Sequence, residues 1–154
     1  MHQRIRIVVA AGLIQLAIGL IVRRPWWIPD LLLASLVVAS VTSRLSAGMT
    51  LALWAGILAM AHPCREPLVV GCGYAAAGWL VLAASARWDL SEWRAQAVTV
   101  AMLEAGLLAL WMAADRVVTL RLLAWSAWKL ELTVACVPWV RRAMGVSSWL
   151  TASS

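Results

Sequence analysis

Two side chains of opposite charge lie inside the last two apolar stretches of the chain and are its strongest candidates for chemistry. Glu104 is near the middle of the run 95–114, and Lys129 is near the middle of the run 117–140. A charge within the hydrocarbon of a membrane is costly, so it is usually paired or lies on an ion or proton pathway. This carboxylate and this ammonium could fix helix register, contact a partner or relay an ion.

The short link between these two runs favours pairing. Residues 115 and 116 are almost all that separates the runs, so two helices here would be antiparallel neighbours, with Glu104 and Lys129 at the same depth. We expect an ion pair between them, because one compensated pair is enough to fix helix register. An ion pathway usually recruits several ionisable groups. Contact with a partner and ion transport are the alternative hypotheses.

Two further acidic residues are candidate partner positions. Asp30 follows a proline at the start of the second apolar run. Glu131 is two residues beyond Lys129, so it lies on another face of the same helix, and we expect that face to point toward Gln15 of the first run. Asp30, Glu104, Lys129 and Glu131 are therefore the candidate intramembrane positions.

The composition indicates that these charges lie in a membrane protein. Hydrophobic residues make up 64% of the 154 residues and charged residues 13%, and the mean hydropathy is +0.86. These values are typical of a polytopic membrane protein. We predict an all-α fold, a polytopic membrane helical bundle of about six transmembrane helices with short loops, forming a single integral membrane domain over residues 1–154. The predicted spans are 5–22, 29–42, 47–61, 67–86, 95–114 and 117–140.

The second and third predicted spans are short for a full crossing. A helix needs ~20 residues to cross a hydrocarbon core of ~30 Å, and the runs 29–42 and 47–61 fall below that length. One long span with a re-entrant segment, or two mismatched helices, would also fit this region. Arg44 between two serines favours a turn that separates the two runs.

The positive charge of the chain lies mainly at the ends of the apolar runs. The formal net charge is +6, and arginines at span ends orient helices and meet anionic lipid headgroups. Six spans would place seven arginines on the side of both termini and five on the other side. The positive-inside rule then predicts cytoplasmic termini. No basic, aromatic-rich polar stretch suggests nucleic-acid binding.

Catalytic, metal and cofactor motifs are weak or missing. The three cysteines and two histidines lack the spacing of a zinc or haem site. No serine has a histidine nearby in sequence, and no glycine-rich phosphate loop occurs. Six of the eleven tryptophans mark span ends, and we expect Trp54, Trp79, Trp125 and Trp128, which lie deeper, to pack against small residues. The sequence predicts a protein that is not an enzyme and has no cofactor.

A face of small residues runs along the fourth span. Gly71, Ala75 and Gly78 follow one another at i, i+4 and i+7. Such faces let helix backbones approach closely in lipid, where packing and hydrogen bonds take the place of the hydrophobic effect. We predict a helix-packing face inside the chain, with the docking of a partner's helix as the alternative.

The order of these features resembles the rod shape-determining protein MreD family over nearly the whole chain. Pro29 and Asp30 match the proline and acid or amide that begin the second span in that family, and Glu104 matches an acidic residue common in its fifth. Pro67-Leu68 matches a Pro-Leu-Gly motif, although a valine replaces the glycine. Met60 stands near a position where the family tends to have an acid, so the chain resembles a divergent member.

The resemblance implies a scaffold rather than an enzyme. Members of the family are bacterial inner-membrane proteins that bind MreC and help couple the MreB cytoskeleton to peptidoglycan synthases of the RodA and class B penicillin-binding type. For this chain the expected partners are MreC, then RodA and a class B penicillin-binding protein, MreB indirectly, and membrane lipids. The resemblance implies that the chain acts in the control of cell shape, as part of the bacterial machinery that elongates the cell wall.

Two other classes share the composition. Substrate-binding subunits of vitamin transporters are also six-helix membrane proteins of nearly this length, but they need convergent polar groups around a pocket. The polar residues of this chain do not cluster on one face by sequence. An unrelated small structural membrane protein would not be expected to carry the Pro29-Asp30 and Glu104 positions.

Overall fold

The computed structural model describes residues 2–22, 28–43, 45–61, 67–115 and 119–146, and in these ranges every regular element is an α-helix. Each predicted apolar run overlaps one helix, so the predicted all-α class is confirmed. The helices are α1 (His2–Val22), α2 (Leu31–Val41), α3 (Leu45–Met60), α4 (Pro67–Ser85), α5 (Trp93–Asp115) and α6 (Leu120–Ala143).

Three of these helices are long and apolar enough to cross a membrane. They are α1 over Arg4–Val22, α4 over Pro67–Ser85 and α5 over Trp93–Ala114. The helices α2 and α3 are apolar but shorter, with 11 and 16 residues. The helix α6 is long, with 24 residues, but it carries five charged side chains. Length and composition therefore indicate a membrane protein.

The shortest helix is the centre of the fold. Every side chain of α2 from Leu32 to Ser40 is buried, and α2 packs against each of the other five helices. At a rise of about 1.5 Å per residue, α2 is far shorter than the ~30 Å hydrocarbon core. Because its neighbours surround it, this short helix is shielded from lipid along its length.

The small face of α4 packs inside the chain, against α3. Gly71 and Gly78 are buried. A Cβ added to Gly56 of α3 would lie 2.8 Å from the backbone oxygen of Gly71, and one added to Gly78 would lie 3.0 Å from the Cα atom of Ala52. The two backbones are thus in close contact, as small residues permit in lipid.

The ends of the helices are joined by arginine side chains. The Arg141 guanidinium donates to the carbonyl oxygen of Ser91 at 2.9 Å, and it joins the last turn of α6 to the start of α5. Arg4 of α1 donates to the carbonyl oxygen of Thr42, just after α2. The helix α6 continues beyond the predicted sixth span to Ala143, and Arg141 is buried while Arg142 is exposed.

The loop before α5 has its own local order. The side chain of Asp89 accepts a hydrogen bond from the backbone N–H of Ser91 at 2.9 Å. Hydrogen bonds from Ser91 hold the pKa of this exposed carboxyl below its usual value. This charge lies outside the helices, at the end of the bundle where Arg141 also binds.

Two further sequence predictions concern a turn and the packing of the tryptophans. The turn predicted at Arg44 lies outside the described residues. Trp54, Trp79 and Trp128, which were expected to pack against small residues, are 48%, 62% and 47% exposed, so a large part of each indole faces outward. Lipid can cover an indole as well as protein can, so depth in the sequence does not predict burial.

Candidate intramembrane charge cluster

Asp30 begins the central helix and is completely buried. Its Oδ1 accepts a hydrogen bond from the backbone N–H of Leu33 at 2.8 Å, so Asp30 is the N-cap of α2. Its own backbone N–H donates to Thr133 Oγ1 of α6 at 2.9 Å. The start of α2 is therefore fixed both by its own carboxylate and by a neighbouring helix.

Lys129 joins Asp30 to Glu104. Its Nζ lies 3.1 Å from Glu104 Oε1 and 3.8 Å from Asp30 Oδ2. Both carboxylates are 0% exposed and Lys129 is 6% exposed. The expected pairing of Glu104 with Lys129 is thus present, and Asp30 extends it to a cluster of two carboxylates around one ammonium. We call Asp30, Glu104 and Lys129 the charge cluster.

Three more side chains complete the surroundings of the charge cluster. The hydroxyl of Tyr74 in α4 donates to Asp30 Oδ2. The indole of Trp111 in α5 is buried, and its ring centroid lies 5.1 Å from the Lys129 Nζ, within the range of a cation–π contact. Thr133 donates to the carbonyl oxygen of Lys129 one turn earlier, at 2.9 Å. Four helices, α2, α4, α5 and α6, therefore meet at this point.

Sequence reasoning missed Tyr74, Trp111 and Thr133 as members of the site. The spacing of two of them gave a partial indication. Trp111 is seven residues after Glu104 and Thr133 is four after Lys129, so each shares a helix face with a charged residue. Tyr74 is the only tyrosine of the chain and lies among small residues. Nothing in the local pattern links it to Asp30.

Gln15 lies beside the charge cluster, where its side chain interacts with Tyr74, whereas Glu131 is outside the cluster. Gln15 Oε1 accepts a hydrogen bond from the backbone N–H of Leu32 at 2.9 Å, which supports the first turn of α2. Glu131 is exposed on α6. The expectation that Glu131 faces Gln15 is therefore wrong, because α6 turns Lys129 inward and Glu131 outward.

The polar residues converge more than the sequence suggested. Asp30, Glu104 and Lys129 come from three helices and share one buried site, although their positions do not form one face by sequence. Neither carboxylate oxygen of Glu104 has a hydrogen-bond partner among the described residues, although Oε1 lies 3.1 Å from Lys129 Nζ in the ion pair. No group of three His, Cys, Asp or Glu side chains in the described ranges is placed to hold a metal ion.

This geometry can stabilise a particular helix arrangement. An ammonium held between two buried carboxylates fixes the depth of α2, α5 and α6 relative to one another, since a shift of any helix would separate charges in a medium of low dielectric constant. The hydrogen bonds of Asp30 further select where α2 begins. The charge cluster thus fixes the relative positions of these helices. Proton exchange among its members is the only reaction that its groups suggest.

Replacing Asp30 with alanine should lower the free energy of unfolding by about 2–4 kcal/mol, because α2 loses its N-cap and the buried Tyr74 hydroxyl loses its acceptor. Asp30→Asn retains an oxygen that can cap the helix and should cost less. Asp89→Ala, which removes an exposed carboxylate, is the control. Denaturant titration of the purified protein in detergent measures all three, and equal stability of Asp30→Ala and wild type would contradict the capping role.

Known proteins give no further guidance on this site. Comparison with protein-family models, with curated proteins and with solved structures found no match.

Proposed function

We propose that the chain is a non-enzymatic membrane scaffold of the MreD type, acting in the bacterial elongation machinery. In this proposal its six helices all cross the inner membrane, both termini lie in the cytoplasm, and binding to MreC helps to couple the MreB cytoskeleton to peptidoglycan synthesis. RodA and a class B penicillin-binding protein would be associated through that complex.

One observation carries the proposal. Asp30 and Glu104, on which the resemblance to the family mainly depends, come together around Lys129 although they are distant in sequence. Both are fully buried. Two acids that hold the helices of a scaffold in register would be needed in every protein of that kind. Their convergence here therefore supports a structural role for the two positions that match the family.

The outer surface of the bundle supports action through helix faces. Large apolar side chains are exposed on every helix except α2, among them Ile21, Leu53, Trp79, Met102 and Trp139. The connection between α2 and α3 and that between α4 and α5 are short. A chain of this kind has little outside the membrane with which to bind, so its partners would be transmembrane helices.

A substrate-binding subunit of a small-molecule transporter is the second candidate. The observation that favours it is the convergence of Asp30, Glu104, Lys129 and Tyr74 at one buried point, where ionisable groups could respond to an ion or proton. The near-complete burial of the charge cluster favours the scaffold, because a ligand would first have to open the bundle.

Affinity purification of the tagged chain from its native membrane in mild detergent separates the two candidates. Recovery of MreC with wall-synthesis enzymes, identified by mass spectrometry, is the result that the scaffold predicts. Recovery of an ATPase with a second membrane subunit would instead make the chain a transporter component. An untagged strain grown and extracted in the same way is the control for adventitious proteins.

A further inference from the structure

We propose that the outward face of α6 around Glu131 binds a transmembrane helix of a partner protein, and that this helix carries a lysine or arginine near the middle of the membrane. The inference deepens the scaffold proposal, on which it rests, by naming a surface of the chain and the chemistry of the partner. It concerns a carboxylate that the charge cluster does not use.

The depth of Glu131 follows from the pairing of α5 with α6. Glu104 lies near the midpoint of the apolar segment Trp93–Ala114, which is long enough to cross a membrane. Lys129 pairs with Glu104, and Arg141 binds the carbonyl of Ser91 just before α5, so the two helices are antiparallel and in a fixed register. Glu131 is two residues from Lys129, or about 3 Å along the helix axis. Its carboxylate therefore lies near the membrane centre.

Glu131 has no compensating group within the described part of the chain. Its side chain is exposed, whereas the carboxylates of Asp30 and Glu104 around Lys129 are buried and paired. Neither a hydrogen bond nor an ion pair joins the Glu131 side chain to another described residue. Ionisable residues inside a membrane almost always face protein or water and are paired. An exposed carboxylate at mid-membrane thus indicates a missing partner.

The residues around Glu131 suit a close helix contact. Ala127 and Ala135 lie one turn before and one turn after it on the exposed face, and Ala124 extends that face by a further turn. Small residues let two backbones approach closely, which is how helices associate in lipid. Trp128 and Trp139 are 47% and 74% exposed beside this path and offer broad apolar surfaces at its margin.

Charge selects a partner with a cation rather than a second copy of this chain. Glu131 lies near the middle of α6, so two copies that pack symmetrically through this face would place two like carboxylates together. Such a contact is repulsive, and the described surface provides no cation next to it. A lysine or arginine on a different helix would instead form the compensated pair that intramembrane charges usually make.

Binding of designed transmembrane peptides to the full-length chain tests this inference. The chain, labelled with a donor dye, is reconstituted in liposomes with an acceptor-labelled leucine-alanine helix that has lysine, leucine or glutamate at its centre. Energy transfer then reports association. We expect the lysine peptide to bind about fivefold to tenfold more tightly than the leucine peptide, a ratio of the size seen for polar contacts between membrane helices.

Variants of the chain show whether Glu131 causes the preference. Glu131→Gln should remove it, and Glu131→Lys should transfer it to the glutamate peptide. Glu92→Gln makes the same chemical change at an exposed residue next to the start of α5 and should leave it unchanged. Because Glu131 is exposed, both variants at that position should fold, which thermal unfolding in detergent checks. The proposal is overturned if the three peptides bind equally or if the preference survives in Glu131→Gln.

Two further results keep the surface, its occupant and the scaffold distinguishable. If donor-labelled and acceptor-labelled copies of the chain associate and Glu131→Gln abolishes that association, the occupant is a second copy and the proposal is wrong. If MreC is recovered equally with wild type and with Glu131→Gln, the scaffold stands but this face does not bind its partner. A lysine preference without any recovery of MreC would support the surface and reject the scaffold.

Discussion

Replacing Lys129 with methionine should lower the free energy of unfolding by about 3–5 kcal/mol, the range measured when one member of a buried ion pair is removed. Methionine fills a similar volume but leaves Asp30 and Glu104 without a cation. Both carboxylates are 0% exposed, so neither can be solvated without opening the bundle. The cation–π contact with Trp111 is lost as well. Reversible denaturation of the purified protein in mixed detergent micelles measures the change.

The opposite substitution should be much less harmful. Glu104→Gln leaves Lys129 opposite Asp30, at a distance of 3.8 Å in the native structure, so one charge of each sign remains. Neither oxygen of Glu104 has a hydrogen-bond partner among the described residues, so the loss is that of the 3.1 Å ion pair with Lys129 alone. We expect a change within about 1 kcal/mol, as for a polar contact between membrane helices. If Glu104→Gln proved as destabilising as Lys129→Met, the charge cluster would not be a two-to-one arrangement.

A double variant separates pairing from the loss of a buried charge. In Glu104→Gln with Lys129→Met, only Asp30 of the charge cluster remains, and it keeps the hydrogen bonds from Tyr74 and Leu33. The cost should therefore be smaller than the sum of the two single costs, since the substitutions act on groups in direct contact. Additive costs would show that Glu104 and Lys129 stabilise the fold independently of each other.

The pairing of Glu104 with Lys129 could be predicted because only chain connectivity was needed. The short link between the fifth and sixth runs makes the two helices antiparallel neighbours, and positions near the middle of both must then lie at the same depth. The participation of Asp30 needed more information. Its position depends on α2 being short and central, which in turn depends on how five other helices pack around it. No local sequence pattern predicts how the helices pack around α2.

The outward orientation of several tryptophans could not be predicted, for a different physical reason. In a soluble protein the polar side of a helix shows which side faces outward, but in a membrane both lipid and protein interior are apolar. Trp79 is exposed and Trp111 is buried, although both lie inside apolar helices. Small residues predict helix contacts better than tryptophans do, because a face of glycines is favourable mainly where another backbone approaches closely. That is why the face of Gly71 and Gly78 could be predicted.

Gly78→Ala should destabilise the protein by about 1–3 kcal/mol, the usual cost of overpacking a close contact. An added Cβ would overlap the side chain of Ala52 and lie 3.0 Å from its Cα atom, so α3 and α4 would have to separate. Gly56→Ala should have a similar effect, since its Cβ would lie 2.8 Å from the carbonyl oxygen of Gly71. A backbone atom cannot move aside by a change of rotamer.

Gly106→Ala is the matched control for these two substitutions. It changes the same residue type within a helix, and a Cβ at Gly106 would have no neighbour within 4 Å. Alanine is better than glycine in a helix interior by about 0.5–1 kcal/mol, so this variant should be as stable as wild type or slightly more stable. Unfolding of all three variants in one detergent gives the comparison. If Gly78→Ala and Gly106→Ala behaved alike, close packing of α3 on α4 would not hold the bundle together, and the face of Gly71 and Gly78 would be free to receive a partner's helix instead.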